Sequence, residues 1–141
     1  MAELIAVAQQ TVEPNQNILF TDTAVRGNNS ILHRAGSGLV TLRGIPCCQA
    51  RARFRVAFGG NIAVPAEGTL EPISVAIAIN GEAVASTKMI VSPAELEEFS
   101  NVSRDTHIDV PAGCCVQVSV ENTSTQDILV ENANLIVERV A

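Results

Sequence analysis

Apolar and polar residues alternate with a period of two along most of the chain. The clearest segment sets apolar residues against arginines: Ala52, Phe54, Val56 and Phe58 alternate with Arg51, Arg53 and Arg55. Successive side chains of a β-strand point to opposite faces, so this pattern indicates a strand that is buried on one face only.

A second regular segment ends in a turn signal. In residues 73–79 four β-branched side chains share one face, while Ser74, Ala76 and Ala78 share the other. Asn80-Gly81 comes next, and this dipeptide suits a type I′ turn because both residues tolerate a positive φ. The sequence therefore predicts a hairpin whose return strand covers residues 82–91.

Further strands are predicted on both sides of this hairpin. They cover residues 4–8, 18–20, 39–43, 102–110, 114–120 and 128–140, with turn-forming residues between them. Only Ser92-Pro-Ala-Glu95 carries the start signals of a helix, so we expect at most one short helix near residues 92–99. The whole pattern is typical of an all-β protein built as an antiparallel β-sandwich or barrel.

The composition fits a single domain over residues 1–141. The chain is 47% apolar and only 3% aromatic, and a globular chain of this length buries about 68–70% of its unfolded surface. No apolar run approaches the roughly 20 residues of a membrane-spanning helix, and the first residues lack the basic segment of a signal peptide. We therefore expect a soluble domain without membrane insertion and without a cleaved signal.

The charge balance argues against nucleic acid as a partner. Nine basic and fifteen acidic residues give a formal net charge of -6, which repels phosphate backbones. The scarcity of aromatic residues also weakens any function that needs rings for stacking against bases or sugars.

Two pairs of adjacent cysteines stand out, Cys47-Cys48 and Cys114-Cys115. Neighbours on a strand point to opposite faces, so the four thiols do not easily converge on one zinc ion. A disulfide between the two pairs is geometrically possible if their strands adjoin, but a reducing compartment disfavours it. The simplest interpretation is free thiols packed as small apolar side chains.

Asp105, His107 and Asp109 occupy alternate positions, so one strand places them on one face. Two carboxylates and an imidazole could hold a metal, particularly if a threefold axis brought copies together. A solvated strand face has the same pattern. No further ligand cluster supports a metal, so we expect neither a metal nor another cofactor.

The arginine stripe formed by Arg51, Arg53 and Arg55 suits fixed pairing with carboxylates. The structural interpretation is cross-strand or intersubunit pairing with acidic residues such as Glu121, Glu131 or Glu138. The functional interpretation is an anion-binding or partner-docking surface.

Some strand faces are neither core nor properly polar. The pattern leaves Ala76 and Ala78 opposite an isoleucine stripe, and Leu135 and Val137 opposite Ile136. A strand that is apolar on both faces suggests that another part of the assembly covers its outer face, and the commonest cover is a second subunit. These four residues and the arginine stripe are therefore the candidate interface residues, the alternative being a strand covered by its own loop.

The motifs of common enzymes are absent. The sequence has no Gly-x-Ser-x-Gly turn, no His-Glu-x-x-His and no phosphate-binding loop. His33 and His107 are the only histidines, and neither has an obvious Ser or Cys nucleophile beside it. We expect no catalytic residues and no enzyme; a metal-dependent enzyme that uses His107 is the least favoured alternative.

The order of strands and turns resembles the compact jelly roll of the tumour necrosis factor and complement globular-head type. The resemblance is carried by Gly36-Ser-Gly-Leu-Val-Thr-Leu42, the strand 51–58, Asn80-Gly81, Val110-Pro-Ala-Gly113, residues 116–122 and Asn134-Leu-Ile-Val-Glu-Arg-Val140. The Gly-x-Tyr and aromatic core pattern of the complement-type heads is missing. More narrowly, the chain is similar to small virion proteins of phages and prophages, such as head fibres and decoration proteins.

This resemblance implies a homotrimer packed about a threefold axis. It further implies a non-enzymatic virion component, made in the bacterial cytoplasm, that contacts its own copies and the major capsid protein or other virion proteins. Residues 1–12 would supply a docking or interface strand. The alternative is a receptor- or glycan-binding module of a fibre tip or of a bacterial or spore surface.

Overall fold

The computed structural model describes residues 2–26, 30–44 and 51–141, and nearly all of its regular structure is β-strand. In chain order the strands are β1 (Ala2–Ala6), β2 (Gln10–Val12), β3 (Asp22–Val25), β4 (Ile31–His33), β5 (Val40–Arg43), β6 (Arg51–Ala63), β7 (Ile73–Ile79), β8 (Glu82–Ala83), β9 (Met89–Val91), β10 (Ser100–Pro111), β11 (Cys115–Asn122) and β12 (Ile128–Arg139). One turn of 3₁₀-helix, Ala85–Thr87, separates β8 from β9.

The strands form two antiparallel sheets of six strands each. Sheet A has the order β10-β6-β12-β1-β3, with β2 also paired to β12, and sheet B has the order β4-β5-β11-β7-β8, with β9 also paired to β7. The fold is a β-sandwich of the jelly-roll type, as the sequence predicts.

The alternating segment around the arginines becomes β6, the longest strand. Its apolar residues face the other sheet, and Phe54 and Phe58 keep at most 2% of their surface. β10 pairs with β6 from Ser100↔Ile62 to Pro111↔Arg51. Its own apolar positions, including Ile108 and Val110, also belong to the core. Burying these side chains is the main favourable contribution to folding.

The Asn80-Gly81 turn is confirmed, with φ of 51° and 85°. The Asn80 side chain fixes the turn by accepting a 3.0 Å hydrogen bond from the Gln117 backbone N–H. The return segment is not one strand, because the 3₁₀-turn interrupts it. There the Thr87 hydroxyl accepts from the Ile77 N–H at 3.0 Å and donates to the Val84 carbonyl at 2.7 Å.

Residues 92–99 contain turns and bends rather than a helix. Glu97 has a positive φ of 60°, and its N–H donates to the Val64 carbonyl at 2.7 Å. That N–H is therefore unavailable to a local helical ladder. Within the described part of the chain, no helix has the length and apolar character needed to cross a membrane.

The two strands within residues 2–12, β1 and β2, are both paired within sheet A. β1 lies between β12 and β3, and Leu4 on this strand is completely buried. Only the side chains on the other face of β1, Glu3 and Ile5, keep some exposure. A partner could therefore use β1 only through the outward face of sheet A.

Candidate interaction surface on the outward face of sheet A

The arginine stripe lies on the outward face of sheet A, between two strands that carry acidic residues. In the register of the sheet, Arg53 lies opposite Asp109 of β10. Arg55 lies between His107 of β10 and Glu138 of β12. The sheet thus brings together two patterns that the sequence shows only as separate stripes, and we call the result the charged ladder (Arg51, Arg53, Arg55, Asp105, Asp109 and Glu138).

Arg53 and Asp109 form the best-defined pair of the charged ladder. The Arg53 Nε donates to Asp109 Oδ1 at 2.8 Å and its Nη2 donates to Oδ2 at 3.2 Å, a bidentate arrangement. The Arg51 guanidinium lies 3.5 Å from Asp109 Oδ2. The hydrogen bond from Arg53 holds the pKa of Asp109 below its ordinary value and raises the pKa of Arg53.

Arg55 pairs with acidic residues on both neighbouring strands. Its Nε and Nη2 donate to Asp105 Oδ2 at 3.0 and 2.7 Å, and its Nη1 lies 3.5 Å from Glu138 Oε1. The hydrogen bond to Asp105 is the main cause of the raised pKa of Arg55. Of the glutamates predicted as partners, Glu138 is paired in this way, whereas Glu121 belongs to β11 of the other sheet.

The three candidate metal ligands of the sequence, Asp105, His107 and Asp109, lie on β10 beside the arginine stripe in the sheet. The Asp105 and Asp109 carboxylates both bind guanidinium groups, while His107 is exposed on the same face. Among residues 2–26, 30–44 and 51–141, no three potential ligand side chains converge on one point. The alternation of Asp105, His107 and Asp109 thus contributes the two carboxylates on the β10 side of the charged ladder, with His107 exposed between them.

Small and apolar residues adjoin the charged ladder on the same face. Ile136 of β12 pairs with Ala57 of β6. In the next row Asn134 lies between Ile5 of β1 and Gly59 of β6. All five residues are partly exposed, and a side chain added at Gly59 would meet nothing within 4 Å. We call Ile5, Ala57, Gly59 and Ile136 the apolar strip.

Four of the predicted interface residues do not offer a surface. Leu135 and Val137 are completely buried in the core, so the prediction that they lie at an interface was wrong. The side chain of β12 that lies between them in sequence and faces outward is Ile136. Ala76 and Ala78 keep at most 1% of their surface within the single chain. The sequence correctly shows two apolar faces on β12, but it does not show which one the opposite sheet covers.

The cysteines that the structure describes are not packed as small apolar side chains. Cys114 and Cys115 are both exposed free thiols, because they lie at the turn where β11 begins. The prediction of buried thiols is therefore wrong for this pair. Cys47 and Cys48 lie outside the described residues.

His33 is half-buried and holds neighbouring segments together. Its Nδ1 lies 2.6 Å from the Thr23 hydroxyl of β3, and its Nε2 lies 3.0 Å from the Ser37 carbonyl. With one proton on Nε2, the neutral imidazole satisfies both contacts, since the hydroxyl then donates to Nδ1. This arrangement links β3 to the turn between β4 and β5.

The protein is thus a jelly roll of two six-stranded sheets whose sheet A carries a charged and an apolar band on its outward face. No protein-family model and no curated protein matches its sequence.

Several solved structures are similar in fold. The globular domain of the zebrafish complement 1qA protein matches with a TM-score of 0.57 and 9% identity, over 96% of this chain and 94% of that one. Pika GITRL matches with a TM-score of 0.43 and 9% identity, over 85% and 88% of the two chains. The C-terminal domain of EclA, a sugar-binding protein, matches with a TM-score of 0.41 and 15% identity, over 94% and 80%. The first of these matches shows that the fold is that of the complement-type globular domain.

Proposed function

We propose that this protein is a non-enzymatic structural component that associates with its own copies through the outward face of sheet A. The observation that carries the proposal is the juxtaposition of the apolar strip with the charged ladder. An interface needs apolar area to exclude water and polar groups to fix the register, and this face supplies both.

The charged ladder is suited to contact a second copy of itself. It contains three guanidinium groups and three carboxylates, so a copy related by rotation can place acidic positions against basic ones without excess charge of either sign. The Arg51 and Arg53 side chains keep 62% and 54% of their surface. Their outer N–H groups therefore remain available to a partner, since a guanidinium has five donors.

The proposed assembly is a homotrimer in a phage virion, as a capsid decoration or head-fibre protein. The fold supports this choice, because it is the jelly roll of the proteins that the sequence resembles. That resemblance implies packing about a threefold axis. The major capsid protein or another virion protein would be the second partner, and a bacterial host cell would be the place of synthesis.

Self-association is tested by light scattering after size-exclusion chromatography. We expect a mass three times the 14.9 kDa of the chain. Gly59→Lys should yield a monomer, because the side chain fits on the open face of a single chain but places an unpaired charge within the apolar strip. Gln117→Lys is the matched control, since it adds the same charge to an exposed position of β11.

A monomeric wild-type protein at micromolar concentration would contradict the proposed assembly. A Gly59→Lys protein that stays trimeric would instead place the interface elsewhere. The virion role is tested separately by mass spectrometry and immuno-electron microscopy of purified particles from a producing host. Absence of the protein from the particles would refute that role even if the trimer were confirmed.

A further inference from the structure

A groove of about 240 Å³ lies at the end of sheet B, away from the charged ladder. It is bounded by the segment that enters β7, by Lys88 and β9, and by the turn between β11 and β12. We call it the β7 groove (Glu71, Pro72, Ser74, Lys88, Ile90 and residues 123–125). All of its walls come from one chain, so it exists whether or not the protein associates.

The floor of the β7 groove is a network of fixed hydroxyl groups. The Ser74 and Thr123 hydroxyls lie 2.6 Å apart. The Ser124 hydroxyl accepts from the Ser74 N–H at 2.8 Å and donates to the Ser74 carbonyl at 3.1 Å. These bonds hold the donors and acceptors in place before a ligand arrives, which reduces the entropy that binding costs.

Two opposite charges line the β7 groove without neutralising each other. Lys88 is the only lysine of the chain, and it is exposed. Glu71 accepts a 3.0 Å hydrogen bond from the Thr125 hydroxyl through Oε1. Among the described residues, no carboxylate lies within 4.0 Å of the Lys88 ammonium. The ammonium and the Glu71 Oε2 are therefore both open to a ligand.

An apolar wall completes the β7 groove. Ile90 keeps 63% of its surface, and the exposed Pro72 also lines the groove. Ser74 pairs directly with Ile90 in the sheet, so the apolar wall stands beside the hydroxyl floor. A ligand that fits must present C–H groups on one side and hydroxyl groups on another.

We propose that the β7 groove binds an anionic saccharide. A sugar ring offers C–H groups to Ile90 and Pro72, and its hydroxyls can donate to Glu71 and exchange hydrogen bonds with the floor. Its carboxylate or sulfate would bind Lys88, which has no competing carboxylate within 4.0 Å among the described residues. Charge-assisted hydrogen bonds of this kind are stronger than neutral ones.

The ligand is expected to carry a single negative charge at the bound unit rather than a high charge density. The β7 groove contributes one cation and one anion, and the whole chain has a formal net charge of -6. That field repels polyanions. We therefore expect a sialylated or uronate-terminated saccharide to bind better than a heavily sulfated polymer.

The test uses the full chain against four ligands by NMR titration or isothermal calorimetry. These are a sialylated oligosaccharide, a uronate-terminated one, a neutral oligosaccharide of matched length, and heparin. We expect binding of one or both singly charged saccharides, which also identifies the source of the negative charge. Equal binding of the neutral ligand, stronger binding of heparin, or binding of none of the four would overturn the proposal.

Variants then assign the binding to the β7 groove. Lys88→Gln should weaken binding by about tenfold or more, the typical effect of losing a charge-assisted hydrogen bond. Lys88→Arg should retain most of the affinity, and Glu71→Gln should weaken binding as well. Arg34→Gln, which removes an exposed cation elsewhere, is the matched control and should change nothing.

The oligomer provides an independent check. Lys88→Gln should form an oligomer of the same size as the wild-type protein, and Gly59→Lys should still bind the saccharide. The reason is that the β7 groove and the outward face of sheet A share no residue. Binding that survives Lys88→Gln unchanged would exclude the β7 groove as the site. A monomeric wild-type protein that still binds would refute only the proposed assembly.

Discussion

At the scale of single residues, Asn122 at the end of β11 is a polar residue with no exposed surface, and its hydrogen bonds explain this burial. Its Nδ2 donates to the carbonyls of Val12 and Gln126 at 2.9 and 3.0 Å, and its Oδ1 accepts from the Ser124 N–H at 2.9 Å. It thereby joins β2 to the turn before β12. The sequence shows a polar turn in this region but gives no sign of this junction, because the Val12 carbonyl is distant in the chain.

Replacing Asn122 should destabilise the protein. Asn122→Leu leaves two carbonyls and one N–H without this partner, and each buried group left unpaired costs about 1–3 kcal/mol. Chemical denaturation should show the lower free energy of unfolding. Asn134→Ala on the outward face of sheet A is the control; an equal loss for both variants would refute the role of Asn122 as a junction.

Glu121 precedes Asn122, and partial burial raises the pKa of its carboxyl group. A raised pKa in the folded state means that the ionised form is less favourable there than in the unfolded chain. The carboxylate therefore lowers stability at neutral pH. This penalty disappears as the pH falls from above the folded-state pKa to below the unfolded value of 4.5.

The prediction is that Glu121→Gln unfolds at a higher temperature than the wild type at pH 7. The difference should shrink as the pH is lowered and vanish once the wild-type carboxyl is protonated in both states. Thermal melts across this range provide the measurement. Glu82→Gln, at an exposed position of sheet B, controls for the change in net charge. An equal rise in its unfolding temperature would show that net charge, and not the burial of Glu121, causes the effect.

At the scale of elements, alternation predicted β6, β7 and β10 well but did not predict the interruption between β8 and β9. The reason lies in Thr87, whose hydroxyl takes over the hydrogen bond of the Ile77 N–H. When a side chain replaces the backbone hydrogen-bond partner of a strand, the alternation of apolar and polar residues does not change. The alternation therefore cannot predict such an interruption. The same limit applies to residues 92–99, where a long-range bond to Val64 replaces the helix that the local signals favour.

Strand β1 provides a direct test of which face the sandwich covers. Leu4 is completely buried, whereas Ile5 is partly exposed on the outward face. Leu4→Ala should lower the free energy of unfolding by about 2–5 kcal/mol, the usual range for a buried leucine. Ile5→Ala should cost far less in the monomeric Gly59→Lys background, and similar costs there would show that both faces of β1 are covered.

At the scale of the whole molecule, the sequence predicted the sandwich and its jelly-roll class but only part of the charged ladder. The arginine stripe was recognisable because it alternates with core residues on one strand. In the sequence its partners Asp105 and Asp109 form only one face of a separate strand, either solvated or a candidate metal site, since nothing there shows that β10 lies beside β6. Pairing between distant strands is the information that an alternating pattern lacks.

The structure of the whole molecule also shows where the apolar residues that looked too many for one core are located. Four apolar residues that the sequence leaves without a place in one core keep at most 1% of their surface in the single chain: Ala76, Ala78, Leu135 and Val137. The surface open to a partner is instead a mixture of partly exposed isoleucines, small residues and paired charges. Composition alone therefore overstates the apolar surface available to a partner.

The position of β12 in sheet A constrains how the protein can be made. The first strand, β1, lies directly beside β12, and β12 also separates it from β6. During synthesis, β3 follows β1 closely and can pair with one of its edges, but the edge that faces β12 stays unpaired until residues 128–139 have been translated. Sheet A therefore cannot complete its strand pairing before residues 128–139 have been synthesised, and an unpaired strand edge favours aggregation until then.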